Sequence, residues 1–290
     1  MPLILIKGTF SIKGTAPDGD SVRFIPKNPA LWRKLENRVR ANRLGGVQLR
    51  LDAIDALETH FQARVGAFGT QRQPEEFGNK AAAHLLDLLG FDSKTIRRGP
   101  KEIVQDAAPN TVNGYILTRF ADIYGRAIAF AFAGDLDESD GASVFVTEDL
   151  LKQSANYQLV AEGLLYPTFY SKLYIDLRKA LAAATESARS AGLGLWTKDV
   201  TNRGFELESL KTIIEEAVIL PKLFRRLLSY LAINDDSVDL SGFIDYLNSN
   251  DDRVLVLPEG KITGFDNLIE VNGQTLRLTE KPEDLVFIEK

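Results

Sequence analysis

Between Val47 and Ile54 the residues alternate, with Val47, Leu49, Leu51 and Ala53 on one face and Gln48, Arg50, Asp52 and Ile54 on the other. A period of two marks a strand with one face on a core. It lifts Arg50 off that core. Leu3 to Lys13 is rich in β-formers, and Asp18-Gly19 is a tight-turn dipeptide leading into Ser21 to Ile25. Asn113 to Thr118 and Ala127 to Phe132 read as strands either side of a turn at Asp122-Ile123-Tyr124-Gly125-Arg126. Helical spacing predicts a helix over Glu75 to Leu89 closed by Gly90, another over Thr147 to Leu165, and an Ala-rich one over Ser171 to Ser190. A further helical pattern, Leu207 to Leu231, contains Pro221, which should kink or split it. Pro26 to Gly46 reads as a basic amphipathic helix inserted in a hairpin, and in Leu268 to Leu278 the pair Asn272-Gly273 divides two alternating runs. The fold class expected is α+β.

Composition removes several chemistries. The chain has 290 residues and no cysteine, which excludes a disulfide framework, a thiolate metal site and a cysteine nucleophile. Two histidines, His60 and His84, are too few for multi-histidine zinc chemistry. Asp135, Asp137 and Asp140 hint at a calcium loop, but Gly141 comes one place too late and no Glu stands at the twelfth position. No stretch approaches the roughly 20 apolar residues that span a bilayer. Met1 to Phe10 does not read as a leader, so the expectation for the chain as written is a cytoplasmic protein or the processed form of a secreted one.

The formal charge of −5 argues at first against a phosphate partner. Its distribution argues otherwise. Residues 1–50 hold ten basic and three acidic side chains, whereas residues 201–290 hold ten basic and seventeen acidic. Two modules are expected, 1–198 and 204–290, with a basic insertion at 26–46. The acidic segment from Asp235-Asp236 to Asp251-Asp252 would face a basic protein partner or cover the basic region of its own chain.

Four pieces carry the chemistry: Asp18-Gly19-Asp20-Ser21; Arg50 to Glu58; Asp122 to Arg126; and Asn156, Leu159-Val160 and Gly163-Leu164 followed by Gly194-Leu195-Trp196. Singly, each is an ordinary turn, surface ion pair or helix end. In this order and spacing they resemble the staphylococcal nuclease-like family over roughly residues 3–197. The resemblance implies a five-stranded oligonucleotide-binding (OB-type) barrel with flanking helices, to which the C-terminal α+β module is added.

It also implies roles. Asp20 and Asp55 would hold a calcium ion, assisted by the Ala56 carbonyl, with magnesium or manganese as alternatives. Hard carboxylates suit such ions. Arg50 and Arg126 would bind phosphate through planar guanidinium forks, which lysine cannot imitate. Glu58 would be the general base. Tyr124 and the ridge of Arg33, Lys34, Arg38, Arg40 and Arg43 are candidate substrate contacts. The activity implied is metal-dependent cleavage of DNA or RNA with little sequence preference, leaving 3′-phosphate and 5′-hydroxyl ends. The alternative is a catalytically silent relative that binds nucleic acid or protein. Leu57 departs from the family by replacing the usual Pro, which removes a φ restraint next to Glu58. Ser21 replaces Thr and keeps the hydroxyl. The family's nucleotide-pocket tyrosines fall near Phe169 and Tyr170.

Overall fold

The computed structural model of the chain describes residues 2–66, 68–234 and 237–289. Five strands answer the five extended signals: β1 (Leu3–Ser11), β2 (Arg23–Pro26), β3 (Val47–Leu51), β4 (Thr111–Ala121) and β5 (Ala127–Ala133). Strand β1 pairs antiparallel with β2 and β4, β2 with β3, and β4 with β5. Parallel pairing of β3 with β5 closes the ring, Arg50 opposite Ile128. Closure leaves no long free edge among these strands. It is the five-stranded barrel expected. Along β3 the alternation holds, with Val47, Leu49 and Leu51 buried and Gln48 and Arg50 partly exposed. The strand stops there because the chain turns at Asp52-Ala53, where Ala53 takes φ +67°, a left-handed conformation costly for a residue with a Cβ.

The helices are α1 (Glu75–Leu88), α2 (Glu148–Lys152), α3 (Ala155–Ala161), α4 (Ile175–Ser190), α5 (Pro221–Ile233) and α6 (Phe243–Ser249). Three differ from the spacing-based expectation, each for a local reason. The segment expected as one helix over Thr147 to Leu165 is two, because the buried Ser154 hydroxyl accepts from Tyr157 N–H at 3.1 Å and caps a new N-terminus. Pro221 does not kink a helix but begins one, at a first-turn position where its missing N–H costs nothing. Upstream of it lies only a π-helical turn, Thr212–Glu216. The basic insertion is not an amphipathic helix either. A 3₁₀ helix covers Pro29–Lys34, after which Glu36 and Arg40 turn their backbone hydrogen bonds out of the segment: Glu36 N–H donates to Arg119 O, Ala121 N–H to Glu36 O, and Arg40 N–H to Gly125 O. The barrel wall outcompetes the i to i−4 bonds of a helix.

Contacts divide the chain into two units that interleave in sequence. One comprises Met1–Ile54, Lys80–Leu159 and Tyr174–Ala180; the other Asp55–Asn79, Val160–Leu173 and Leu181–Lys290. The stretch between Lys198 and Gly204 lies inside the second unit. That unit carries the C-terminal α+β region. Its strands are β6 (Phe169–Tyr170), β7 (Phe205–Glu206), β8 (Arg253–Val256), β9 (Lys261–Gly264), β10 (Ile269–Asn272), β11 (Thr275–Leu278) and β12 (Leu285–Phe287). They form sheets ordered β6-β12-β8-β9 and β7-β11-β10, with the Asn272-Gly273 turn joining β10 and β11 as expected. Helix α5 buries Leu223, Phe224, Leu227, Leu228 and Leu231 in a core shared with Leu57, Phe77, Phe243, Phe265 and Phe287. Its Lys222, Arg225 and Arg226 lie off that apolar stripe. Among the described residues no helix is long and apolar enough to cross a membrane.

Candidate nucleic-acid site

In the first unit, Arg50 on β3 is ion-paired with Asp20, and both side chains are largely buried. The Tyr124-Gly125-Arg126 turn is built by Asp122. Its Oδ1 accepts from the N–H groups of Tyr124 and Arg126, both at 2.9 Å, and its Oδ2 accepts from Arg126 Nε at 2.7 Å. The guanidinium of Arg126 stands 5.6 Å from the centroid of the Tyr124 ring, which is 52% exposed. Gly125 has φ +82°, and a Cβ there would come within 2.3 Å of Arg40 Cγ. The basic insertion therefore rests directly on this turn. Arg33, Lys34, Arg38, Arg40 and Arg43 are all exposed.

Asn156, from the last of the motif pieces, is fully buried and braces the loop that follows Arg50. Its Oδ1 accepts from Ala131 N–H at 3.0 Å, and its Nδ2 donates to the carbonyls of Asp52 at 2.9 Å and Ala129 at 3.1 Å. Asp135, in the loop dismissed as a calcium site, pairs with Lys7 at 2.7 Å, and Lys7 N–H donates to Asp140.

Asp55, Ala56, Leu57 and Glu58 belong to the second unit. Leu57 is 1% exposed and sits in the apolar core beside α5 residues. The departure from Pro thus exchanges a backbone restraint for a buried side chain. Gln73 supplies the restraint instead: its Oε1 accepts from Glu58 N–H, its own N–H donates to Glu58 O, and its Nε2 donates to Ile219 O. Thr59 and His60 share a hydrogen bond of 2.7 Å beyond.

The residue that sequence reasoning missed is Arg225. From α5 its Nη2 donates to Asp55 Oδ2 at 2.8 Å, and its Nη1 to Asp55 Oδ1 at 3.2 Å and Glu58 Oε1 at 2.5 Å. The Asp55 side chain is only 2% exposed. Burial pushes the Arg225 guanidinium toward losing its proton, and the carboxylates of Asp55 and Glu58 more than reverse that, holding its pKa well above the ordinary arginine value. Nothing adjacent to Arg225 in sequence signals this role. The available hint was a basic helix face in an otherwise acidic region.

A model of the staphylococcal nuclease homologue family matches residues 48–198. The chain belongs to this family. No curated protein matches it. In this staphylococcal nuclease homologue the match includes Arg50, Asp55, Ala56, Glu58, Tyr124 and Arg126, while Asp20 and the basic insertion precede it. The motif glycines are explained by a close approach: Leu195 N–H donates to Gly163 O at 2.8 Å, and a Cβ on Gly163 would meet Leu193 O at 2.5 Å.

Calcium, the ion this family typically uses, requires open oxygen lone pairs. The homologue's Asp20 faces Arg50, and both oxygens of Asp55 face Arg225. As arranged, these carboxylates do not fit the ion. Among the described residues no three His, Asp or Glu side chains are grouped to hold a metal. The acidic segment of the C-terminal region is also partly spent internally. Asp252 accepts from Lys222 at 3.3 Å and Arg226 at 2.6 Å, and Asp235-Asp236 lie outside the described residues.

Proposed function

We propose that the chain is a nuclease acting on DNA, RNA or both, with little sequence preference, whose phosphodiester chemistry is carried by Arg50, Glu58 and Arg126. The observation that carries this reading is the family match over 48–198, a span that contains Arg50, Glu58 and Arg126. A phosphodiester gains negative charge in an in-line displacement, so guanidinium forks stabilise the transition state more than the ground state. Arg50 and Arg126 carry such forks, now turned to Asp20 and Asp122. A phosphate oxygen presents the same charge and geometry as those carboxylates and competes for the same donors. Glu58 would accept the proton of the attacking water once its Oε1 is released by Arg225. The products in this reading carry 3′-phosphate and 5′-hydroxyl ends.

The exposed bases of the insertion, together with Tyr124, give the substrate backbone a landing surface beside Arg126. Its support is the hydrogen bond from Arg40 N–H to Gly125 O, which ties the insertion to the turn carrying Arg126.

One observation favours a second reading, a relative that binds nucleic acid without cutting it. Arg225 engages Asp55 and Glu58 together, which takes the expected base out of service in this conformation. Incubation with single- and double-stranded DNA and RNA separates the two readings, using calcium, magnesium, manganese or a chelator in turn. The nuclease reading expects cleavage by the wild-type chain and none by Glu58→Gln. Binding without cleavage under every condition would establish the silent relative.

A further inference from the structure

In the second unit the carboxylates of Asp55 and Glu58 meet at one guanidinium, that of Arg225. A desolvated carboxylate needs a counter-charge, and removing one partner of such a pair strands the other. In this chain the counter-charge comes from the polypeptide. Arg225 addresses Asp55 through both terminal nitrogens, at 2.8 Å and 3.2 Å, and reaches Glu58 at 2.5 Å. A guanidinium that donates to both oxygens of a carboxylate uses lone pairs that a metal ion would use.

The position of Arg225 is set by packing on both sides. Helix α5 starts at Pro221 and is seated by Leu223, Phe224, Leu227 and Leu228, all buried. Glu58 is held through its backbone by Gln73, and the residue before it, Leu57, is packed in the same core. Neither partner is a solvated side chain that drifts away at little cost. An arginine, unlike a lysine, also keeps its charge at any accessible pH, so it does not vacate the pair by titration.

We infer that Arg225 takes the place of a divalent cation on Asp55 and Glu58, so that this carboxylate pair holds a guanidinium of its own chain and excludes calcium, magnesium and manganese. The inference rests on the geometry of the second unit and not on cleavage. A chain that cuts nothing would leave it standing, and a chain that cuts would not establish it.

The test is cation binding by the full-length protein. Thermal unfolding is followed without calcium and with calcium at about 10 mM, a concentration that saturates sites of millimolar or tighter affinity and stabilises the native state through mass action. The wild-type midpoint should not respond. Arg225→Gln should unfold at lower temperature without calcium and recover several degrees with it, and the recovery should vanish in the double variant Arg225→Gln with Asp55→Asn. Arg225→Lys retains the charge but loses the fork, and should respond to calcium less than Arg225→Gln. A wild-type midpoint that rises with calcium, and ceases to do so in Asp55→Asn, would overturn the inference because Arg225 then yields to the ion. A folded Arg225→Gln with no calcium response would overturn it too, since the pair would then be no cation site at all. If Arg225→Gln does not fold, calorimetric titration of calcium into the wild-type chain and Asp55→Asn decides: identical heats support the exclusion, and a heat present only in the wild type refutes it.

Discussion

Gln73 and Glu58 hold each other through a reciprocal pair of hydrogen bonds, Glu58 N–H donating to Gln73 Oε1 at 3.1 Å and Gln73 N–H donating to Glu58 O at 2.8 Å. The Gln73 side chain is 1% exposed and its amide also donates to Ile219 O at 2.8 Å, so one residue ties the loop of the expected base to the start of α5. Gln73→Ala leaves a partly buried N–H and a buried carbonyl without that partner, at a cost of about 1–3 kcal/mol. Urea unfolding should read this as a lower midpoint with an unchanged slope. An unaltered midpoint would mean that the loop holds itself.

Restoring the family's proline should harm this protein. Leu57→Pro gains at most about 1 kcal/mol by restricting the unfolded chain. Against that stands the loss of much of a buried leucine, where truncation to alanine typically costs about 2–5 kcal/mol. The packing term is the larger, and a net destabilisation of about 1–3 kcal/mol is expected. A more stable Leu57→Pro protein would show that the core tolerates the exchange.

Asn156 makes a sharper test of the loop after Arg50, because its two ends do different work. Asn156→Asp keeps an acceptor for Ala131 N–H but loses the donor that serves the Asp52 and Ala129 carbonyls, and it places a carboxylate in a fully buried position. The carboxyl should take up a proton in the folded state. Stability relative to wild type should therefore worsen as pH rises from about 4 to 8, since the unfolded aspartate ionises there and the folded one resists. A pH-independent difference would show that the site accommodates the charge.

Lys222 gives a pH signature of opposite origin. Burial, with help from Arg226 and Arg225, brings its pKa down to about 8 against the pull of Asp252. Below pH 8 the lysine is charged in both states and the burial penalty is fully present. Between about 8 and 10.5 the folded lysine is neutral while the unfolded one is still charged, so the penalty is relieved as pH rises. Wild type should gain about 1 kcal/mol on Lys222→Met between pH 7 and 9. Parallel stability profiles for the two proteins would contradict it.

Neutralising Arg33, Lys34, Arg38, Arg40 and Arg43 to glutamine should weaken nucleic-acid binding for all sequences alike. The slope of log affinity against log salt should fall by about 0.7–0.9 for each base that meets a phosphate. Equal affinity and slope would reduce the ridge to a solvated surface.

Local signals were the readable ones. Val47 to Leu51, the Asn272-Gly273 hairpin and the α1 stop at Gly90 depend on residues within a few positions of one another, and their periodicity or turn chemistry announces them. The insertion departs from its helical spacing because its backbone partners lie more than 80 residues away, on β4 and at Gly125. Arg50, Asp55, Glu58 and Arg126 stand out as candidates by their types and order, whereas the groups that pair with them do not. Arg225 is separated from Asp55 by 170 residues and Gln73 from Ile219 by 146, and no spacing rule reaches that far.

The two units are threaded through each other along the chain, and this sets a timetable for synthesis. When Leu57, Asp55 and Glu58 leave the ribosome, the apolar partners of Leu57 on α5 and the cation for both carboxylates are still to be made. Every strand of the barrel is complete by Ala133, but the core around Leu57 must wait for Leu220 to Leu231 and then for Phe265 to Phe287. The segment bearing the acidic pair is thus among the earlier parts to be translated and among the last to be closed. A nascent chain stalled before Arg225 would present two uncompensated carboxylates and an open apolar surface, which is the kind of intermediate that chaperones attend.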